Sequence, residues 1–229
     1  MKNATKAIVS TVGTIMGLGG IEHGIGEILQ GNTAPSGMMF PSWGDAELFR
    51  IVSGEPAMSI IPNFLITGIL AILFSLVFLV WIFRFLDQKK YGGLVMMLLS
   101  IILLLVGGGI FPPIFGILLG AVGTRINSPL TWWRTHLPAG LRDFLAKLWP
   151  WSYAVCTTAF LCLFPGSILL DYFFGVGSPL MIAIVVLIAI GSLLLTIIAG
   201  FGYDSLRKTV PSVNLIAGQG QREMIRKPM

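Results

Sequence analysis

The sequence predicts an all-α, polytopic helical membrane protein with about six transmembrane segments and both termini in the cytoplasm. Its composition is the first observation: of 229 residues, 55% are hydrophobic and 11% are charged, whereas soluble domains carry about 25% charged residues. The second is that residues 60–83, 91–124 and 172–203 contain no Asp, Glu, Lys or Arg. Each stretch is long enough to span the hydrocarbon core, which requires about 20 apolar residues.

The distribution of Lys and Arg predicts how the chain crosses the membrane. If residues 91–126 cross once, the best orientation leaves 10 basic residues inside and 5 outside. If they form a hairpin that returns to its starting face, 14 lie inside and only Arg50 lies outside. Because basic residues concentrate in cytoplasmic loops, we predict the hairpin.

The boundaries of the segments follow from apolar runs and helix breakers. Gly107, Gly108 and Gly109, followed by Pro112 and Pro113, interrupt the hairpin because Gly and Pro disfavour helix. Its second arm, 112–126, would reach only about 22 Å as a helix, so it is either a thin span or a re-entrant loop. The six predicted segments are 7–30, 60–84, 91–110, 112–126, 152–171 and 179–203.

We expect one transmembrane domain over residues 1–203. In the outer loop, 31–59, a short interfacial helix is predicted over 41–56 with Ser42 as its N-cap. The inner loop, 125–151, is amphipathic and Trp-rich, which is typical of a segment at headgroup level. Residues 204–229 are predicted to form a basic, mobile cytoplasmic tail.

The stretch GGIEHGIGEILQG (19–31) places polar side chains in the first segment. Measured from Ala7, Glu22 and Glu27 lie about 22 and 30 Å along the helix, near the outer face rather than the midplane. His23 and Glu27 share a helix face, so Glu22, His23 and Glu27 are candidates for a cation or proton site. The alternative is that they are hydrated or hydrogen-bonded between helices. Further acids predicted on the outer side are Asp45, Glu47, Glu55 and Asp171.

Glycines form two other patterns. The first segment carries a stripe at steps of four, three and four residues: Gly13, Gly17, Gly20 and Gly24. Small residues at this spacing let helices approach closely, either within the chain or in a homodimer. The break at 107–113 fits either a discontinuous helix at a binding site or a tight turn at the outer surface.

The sequence contains no HExxH, CxxC, GxSxG or P-loop motif, so we predict neither enzyme activity nor a cofactor. The net charge of +5 is explained by the cytoplasmic loops rather than by nucleic acid. We expect a multi-pass protein of the plasma (inner) membrane that acts as an accessory or scaffold subunit, with itself or another membrane protein as partner. The alternative is a small-solute or ion permeation protein with an outward-facing acidic rim.

Overall fold

The computed structural model describes residues 3–44, 55–175 and 179–207, and the described chain is mostly helical. Four helical stretches are long and apolar enough to cross a membrane, and two shorter apolar helices accompany them. In chain order the elements are α1 (Ala4–Leu29), β1 (Met39–Pro41), β2 (Pro56–Met58), α2 (Phe64–Arg84), α3 (Gly92–Leu105), α4 (Phe111–Gly123), α5 (Thr131–His136), α6 (Ala139–Leu161), α7 (Ser167–Phe174) and α8 (Pro179–Arg207).

The N-terminus of α1 is capped by two side chains. Asn3 accepts a hydrogen bond from the backbone N–H of Lys6 at 2.8 Å. Asp204 accepts from the backbone N–H groups of Ala4 and Thr5, at 2.8 and 3.0 Å. These bonds satisfy donors that a helix start leaves unpaired. The tail was predicted to begin at Asp204, but residues 204–207 belong to α8 and pack in the helical bundle. Residues 208–229 lie outside the described residues.

The glycine stripe of α1 packs against α2 within the chain. A Cβ atom at Gly24 would lie 2.7 Å from the carbonyl oxygen of Gly68, and one at Gly68 would lie 2.5 Å from that of Gly24. Further along, a Cβ atom at Gly17 would lie 2.6 Å from the side chain of Leu79. The two backbones approach this closely because both helices have glycine at the contact. Gly13 and Gly20 face α2 in the same way.

Helices α3 and α4 form an antiparallel hairpin. A Cβ atom at Gly93, near the start of α3, would lie 2.5 Å from the backbone nitrogen of Thr124, just after α4. α3 ends at Leu105, before the predicted end at residue 110, because Gly107 and Gly109 adopt positive φ angles of 96° and 79°. The helices have 14 and 13 residues, or about 21 and 20 Å. Since the hydrocarbon core is about 30 Å thick, their full crossing stays a prediction.

Helices α6 and α8 pack together as a second half of the bundle. α6 begins at Ala139, so the amphipathic part of the inner loop continues directly into the predicted span 152–171. The irregular turn Cys162–Gly166, in which Phe164 has extended backbone, separates α6 from α7. α1 joins the two halves: Ile8 and Trp149 both lie against Gly200 of α8.

The loops collect at the two ends of the bundle. At the end that holds the N-terminus, Lys6 forms an ion pair with Asp87 at 2.5 Å. There Asn3 also donates to the carbonyl oxygen of Ile126 at 2.8 Å. The charge distribution predicts this end to be cytoplasmic, and that orientation stays a prediction.

A two-stranded antiparallel sheet lies at the opposite end. β1 and β2 pair with Phe40 opposite Ala57, and the N–H of Gly107 donates to the carbonyl oxygen of Met58 at 3.0 Å. The prediction of a helix over 41–56 with Ser42 as its N-cap is therefore wrong at both ends, because Pro41 and Pro56 belong to the paired strands and no helix follows Ser42 in residues 43 and 44. The middle of that range, 45–54, lies outside the described residues.

Candidate metal centre

The polar side chains of α1 are enclosed by protein. The exposed fractions of Glu22, His23 and Glu27 are 8%, 1% and 0%. They lie in the last turns of α1, where the sheet and the turn after α3 cover the helix end. These three side chains are therefore covered by protein rather than exposed at the surface of the bundle.

Glu22 and His23 meet a third residue, Glu55. His23 Nε2 lies 3.3 Å from Glu55 Oε1 and 3.9 Å from Glu22 Oε2. One ligand atom from each residue lies within 4.8 Å of the other two. Glu55 directly precedes β2, so the pairing of the strands carries it across to α1. The result is a group of one imidazole and two carboxylates, in which His23 and Glu22 are buried and the Glu55 side chain is 25% exposed.

Residues that follow β1 hold this group in place. Ser42 Oγ and His23 Nδ1 are hydrogen-bonded at 2.5 Å, and Trp43 Nε1 donates to Glu22 Oε1. The backbone N–H of Ser42 also donates to the carbonyl oxygen of Glu55 at 3.2 Å. His23 Nε2 and Glu22 Oε2 are thereby directed toward each other and toward Glu55. Orienting contacts of this kind accompany metal-binding histidines and carboxylates.

Glu27 lies beside the group but is not one of its three members. Its carboxylate packs against Gly107, where a Cβ atom would collide with both oxygens. Within the described residues neither oxygen of Glu27 makes a hydrogen bond. The Thr67 side chain lies near it, but its hydroxyl donates to the carbonyl oxygen of Phe64. Of the three sequence candidates, the structure joins Glu22 and His23 to Glu55 and leaves Glu27 adjacent.

Of the other acids predicted on the outer side, Asp171 lies on α7 and is not a member of this group. Asp45 and Glu47 lie outside the described residues. Ser42 and Trp43 were not recognised as site residues, because the sequence pattern around them also fits a helix N-cap. No local signal distinguishes a serine that orients a histidine from one that caps a helix.

A cavity of about 310 Å³ opens beside the three ligand residues. One part of its wall is polar and consists of Glu22, His23 and Glu55. The remaining wall is almost entirely apolar and comes from both halves of the bundle, including Ile15, Phe111, Phe115, Phe160, Leu163 and Ile182. Pockets of this size with few convergent polar groups are typical ligand sites.

The donor set limits the chemistry of the centre. An imidazole nitrogen with two carboxylate oxygens suits Zn²⁺, Mn²⁺ or Fe²⁺. Ca²⁺ and Mg²⁺ prefer ligand sets made of oxygen alone. Three protein ligands leave at least one coordination position, and the cavity adjoins all three residues.

Similarity to other proteins gives no further guide to this chemistry. Comparisons with protein-family models, with curated proteins and with solved structures found no match for the chain. The geometry of the cluster and the cavity is therefore the basis on which a function is assigned.

Proposed function

We propose that the chain is an integral membrane protein that binds a divalent transition metal ion through Glu22, His23 and Glu55. One observation carries this proposal: the buried Nε2 atom of His23 lies 3.3 and 3.9 Å from oxygens of two carboxylates. If Nδ1 donates its proton to Ser42, the lone pair of Nε2 is directed at those oxygens. In that tautomer a cation between the three atoms is coordinated by all of them, whereas a protonated His23 forms an ion pair with the two carboxylates.

The charges around His23 also favour a cation. Glu22, Glu27 and Glu55 all act electrostatically on the imidazole. In the part of the chain that the structure describes, no Lys or Arg side chain forms an ion pair with these acids. Among the described residues, the counter-charge of Glu22 and Glu55 is therefore a protonated His23, and buried charges that lack a partner are costly. A divalent ion supplies that charge where the carboxylates meet.

The ligand positions require only a small contraction to hold the ion. Metal–ligand distances near 2.1 Å place neighbouring ligand atoms roughly 3.4 Å apart in a tetrahedral site. The three atoms now lie within 4.8 Å of one another. Rotation of the Glu22 and Glu55 side chains, each with three rotatable bonds, closes this difference without movement of the helix.

A tightly held ion favours a binding role over ion conduction, because conduction requires weak sites from which the ion can leave. We propose that the protein serves as an accessory or scaffold subunit of the plasma membrane, without enzyme activity, rather than as an ion pathway. We also propose that both termini lie in the cytoplasm, which the distribution of basic residues supports.

Thermal unfolding of chelator-treated protein with added metal tests the metal site. An ion at 100 times its Kd stabilises the fold by about 2.7 kcal/mol, which raises Tm by roughly 5 to 10 °C for a chain of this length. We expect Zn²⁺ and Mn²⁺ to give this increase and Mg²⁺ and Ca²⁺ to give little.

Variants identify the ligands. Glu22→Gln, Glu55→Gln and His23→Ala should each abolish the increase caused by Zn²⁺. The matched control is Asp143→Asn, which removes an exposed carboxylate on α6 and should leave the increase intact. A wild-type Tm that does not respond to any of the four metals would refute the proposal.

A further inference from the structure

We infer that the cavity beside the metal centre binds a single-chain amphipathic carboxylate whose head ligates the metal and whose hydrocarbon chain fills the apolar space. This inference rests on the proposed metal site, and it adds the class of ligand that the site would receive. It is carried by the position, the lining and the size of the cavity.

The cavity combines one polar wall with a long apolar one. It adjoins Glu22 and His23 and extends along α1 as far as Ile15, a distance of about 12 Å along the helix. Beyond the three ligand residues, Ser167 is the polar side chain among its lining residues. A molecule that occupies the whole space therefore needs a polar group at one end only.

The cavity lies at the junction of the two halves of the bundle. Phe111 and Phe115 of α4 line one side, and Phe160 of α6 and Ile182 of α8 line the other. Phe111 is 45% exposed on the outer surface of the bundle, and Ile182 is half-buried. A hydrocarbon chain can therefore reach the cavity from the surrounding lipid without crossing a polar surface.

The volume sets the length of the chain. A water molecule occupies about 30 Å³ in the liquid, and a methylene group is of similar size. The space of about 310 Å³ thus accommodates about ten such groups. This size fits the chain of a medium-chain fatty acid and is too small to enclose both chains of a phospholipid.

The bound metal ion determines which head group of the ligand can bind. Without an ion, Glu22 and Glu55 repel a carboxylate. With a divalent ion bound to them, a free coordination position attracts an oxygen donor with negative charge. Because lipid chains are as apolar as the cavity wall, transfer of the chain from the bilayer contributes little. Binding should therefore depend on both the metal and the carboxylate.

Paramagnetic relaxation by Mn²⁺ tests this arrangement in the full-length protein in nanodiscs. With Mn²⁺ bound, we expect ligand protons of decanoate to relax fastest next to the carboxylate and progressively more slowly toward the methyl end. Methyl decanoate, which lacks the charged head, should show no such gradient. Electron paramagnetic resonance of Mn²⁺ reports metal binding independently of the ligand.

Two substitutions on one turn of α8 distinguish decanoate bound in the cavity from decanoate at the lipid-facing surface. Val186→Trp places an indole in the cavity that Val186 lines. Because the indole takes the space of the hydrocarbon chain, decanoate binding should weaken at least about tenfold, a loss of about 1.4 kcal/mol, while Mn²⁺ still binds. Leu187→Trp is the matched control, because Leu187 is 70% exposed, and it should bind decanoate as the wild type does.

The outcomes distinguish the two proposals. If Mn²⁺ binds but decanoate shows no gradient, or an equal gradient with Val186→Trp, the ligand inference is overturned and the metal site stands. If Mn²⁺ does not bind to the wild type, the metal site is refuted and the ligand inference falls with it. A gradient that disappears with Val186→Trp and persists with Leu187→Trp supports both.

Discussion

The imidazole of His23 lies directly against the backbone of Gly109, where a Cβ atom would come 2.5 Å from His23 Cδ2 and 2.8 Å from His23 Cε1. Gly109 also has a φ of 79°, which favours glycine for backbone reasons alone. Gly107, with a φ of 96°, packs in the same way against the carboxylate of Glu27. The glycine turn that ends α3 is therefore part of the wall around the polar side chains of α1.

We predict that Gly109→Ala destabilises the fold by more than backbone strain alone. The matched control is Gly31→Ala, at a φ of 82° with nothing within 4 Å of the added Cβ atom. Gly31→Ala should cost about 1 to 2 kcal/mol, the usual cost of a left-handed residue. Gly109→Ala should cost more and should also reduce the increase in Tm that Zn²⁺ causes, because His23 is displaced. Equal unfolding free energies for the two variants would contradict the contact.

We predict that Ser42→Ala weakens metal binding without removing a ligand. Ser42 orients His23 through Nδ1, and loss of such a partner typically reduces metal affinity by about 10- to 100-fold. Ser59→Ala is the control, because Ser59 is also buried but its hydroxyl accepts from the backbone N–H of Ile61. Titration with Zn²⁺, followed by competition with a chelator, measures both affinities. Unchanged affinity in Ser42→Ala would remove the orienting role.

We predict that Gly24→Leu disrupts the packing of α1 on α2. The added side chain would meet the backbone of Gly68 and the side chain of Ile72 at less than 3 Å, and backbone cannot move aside as a side chain can. Gly191→Leu on α8, where nothing lies within 4 Å, should change Tm little. Gly17→Leu should behave like Gly24→Leu. A similar Tm for Gly24→Leu and Gly191→Leu in detergent would argue against this contact.

We predict that residues 88 and 135 face the cytoplasm and residue 37 faces outward. Single cysteines at Gln88, Thr135 and Gly37, each exposed, test this in a background that lacks Cys156 and Cys162. A membrane-impermeant thiol reagent added to intact cells should label position 37 only. Labelling of 88 and 135 from opposite sides would mean that residues 91–126 cross once.

The helical class and the approximate positions of the helices were predictable because they depend on local properties. A long apolar run without charges requires a helix of a certain length in lipid, whatever surrounds it. The break after α3 was predictable for a similar reason, since Gly acts on its own backbone. The predicted break was wrong at its end, because Pro112 and Pro113 lie in the first turn of α4, where Pro is tolerated. The exact end of α3 at Leu105 was not predictable, because it depends on how Gly107 and Gly109 turn over α1.

The sequence by itself also placed Glu22, His23 and Glu27 near one end of the first helix, because the position along a helix follows from the residue count. Only the tertiary structure decided that Glu55 rather than Glu27 completes the cluster, and that Ser42 contacts His23. The His23–Ser42 contact joins residues 19 apart in sequence, and the contacts of Glu55 with α1 join residues more than 30 apart. They depend on the pairing of β1 with β2 and on the packing of the glycine turn against α1. Such pairings are set by the shapes of two surfaces at once, which no single stretch of sequence contains.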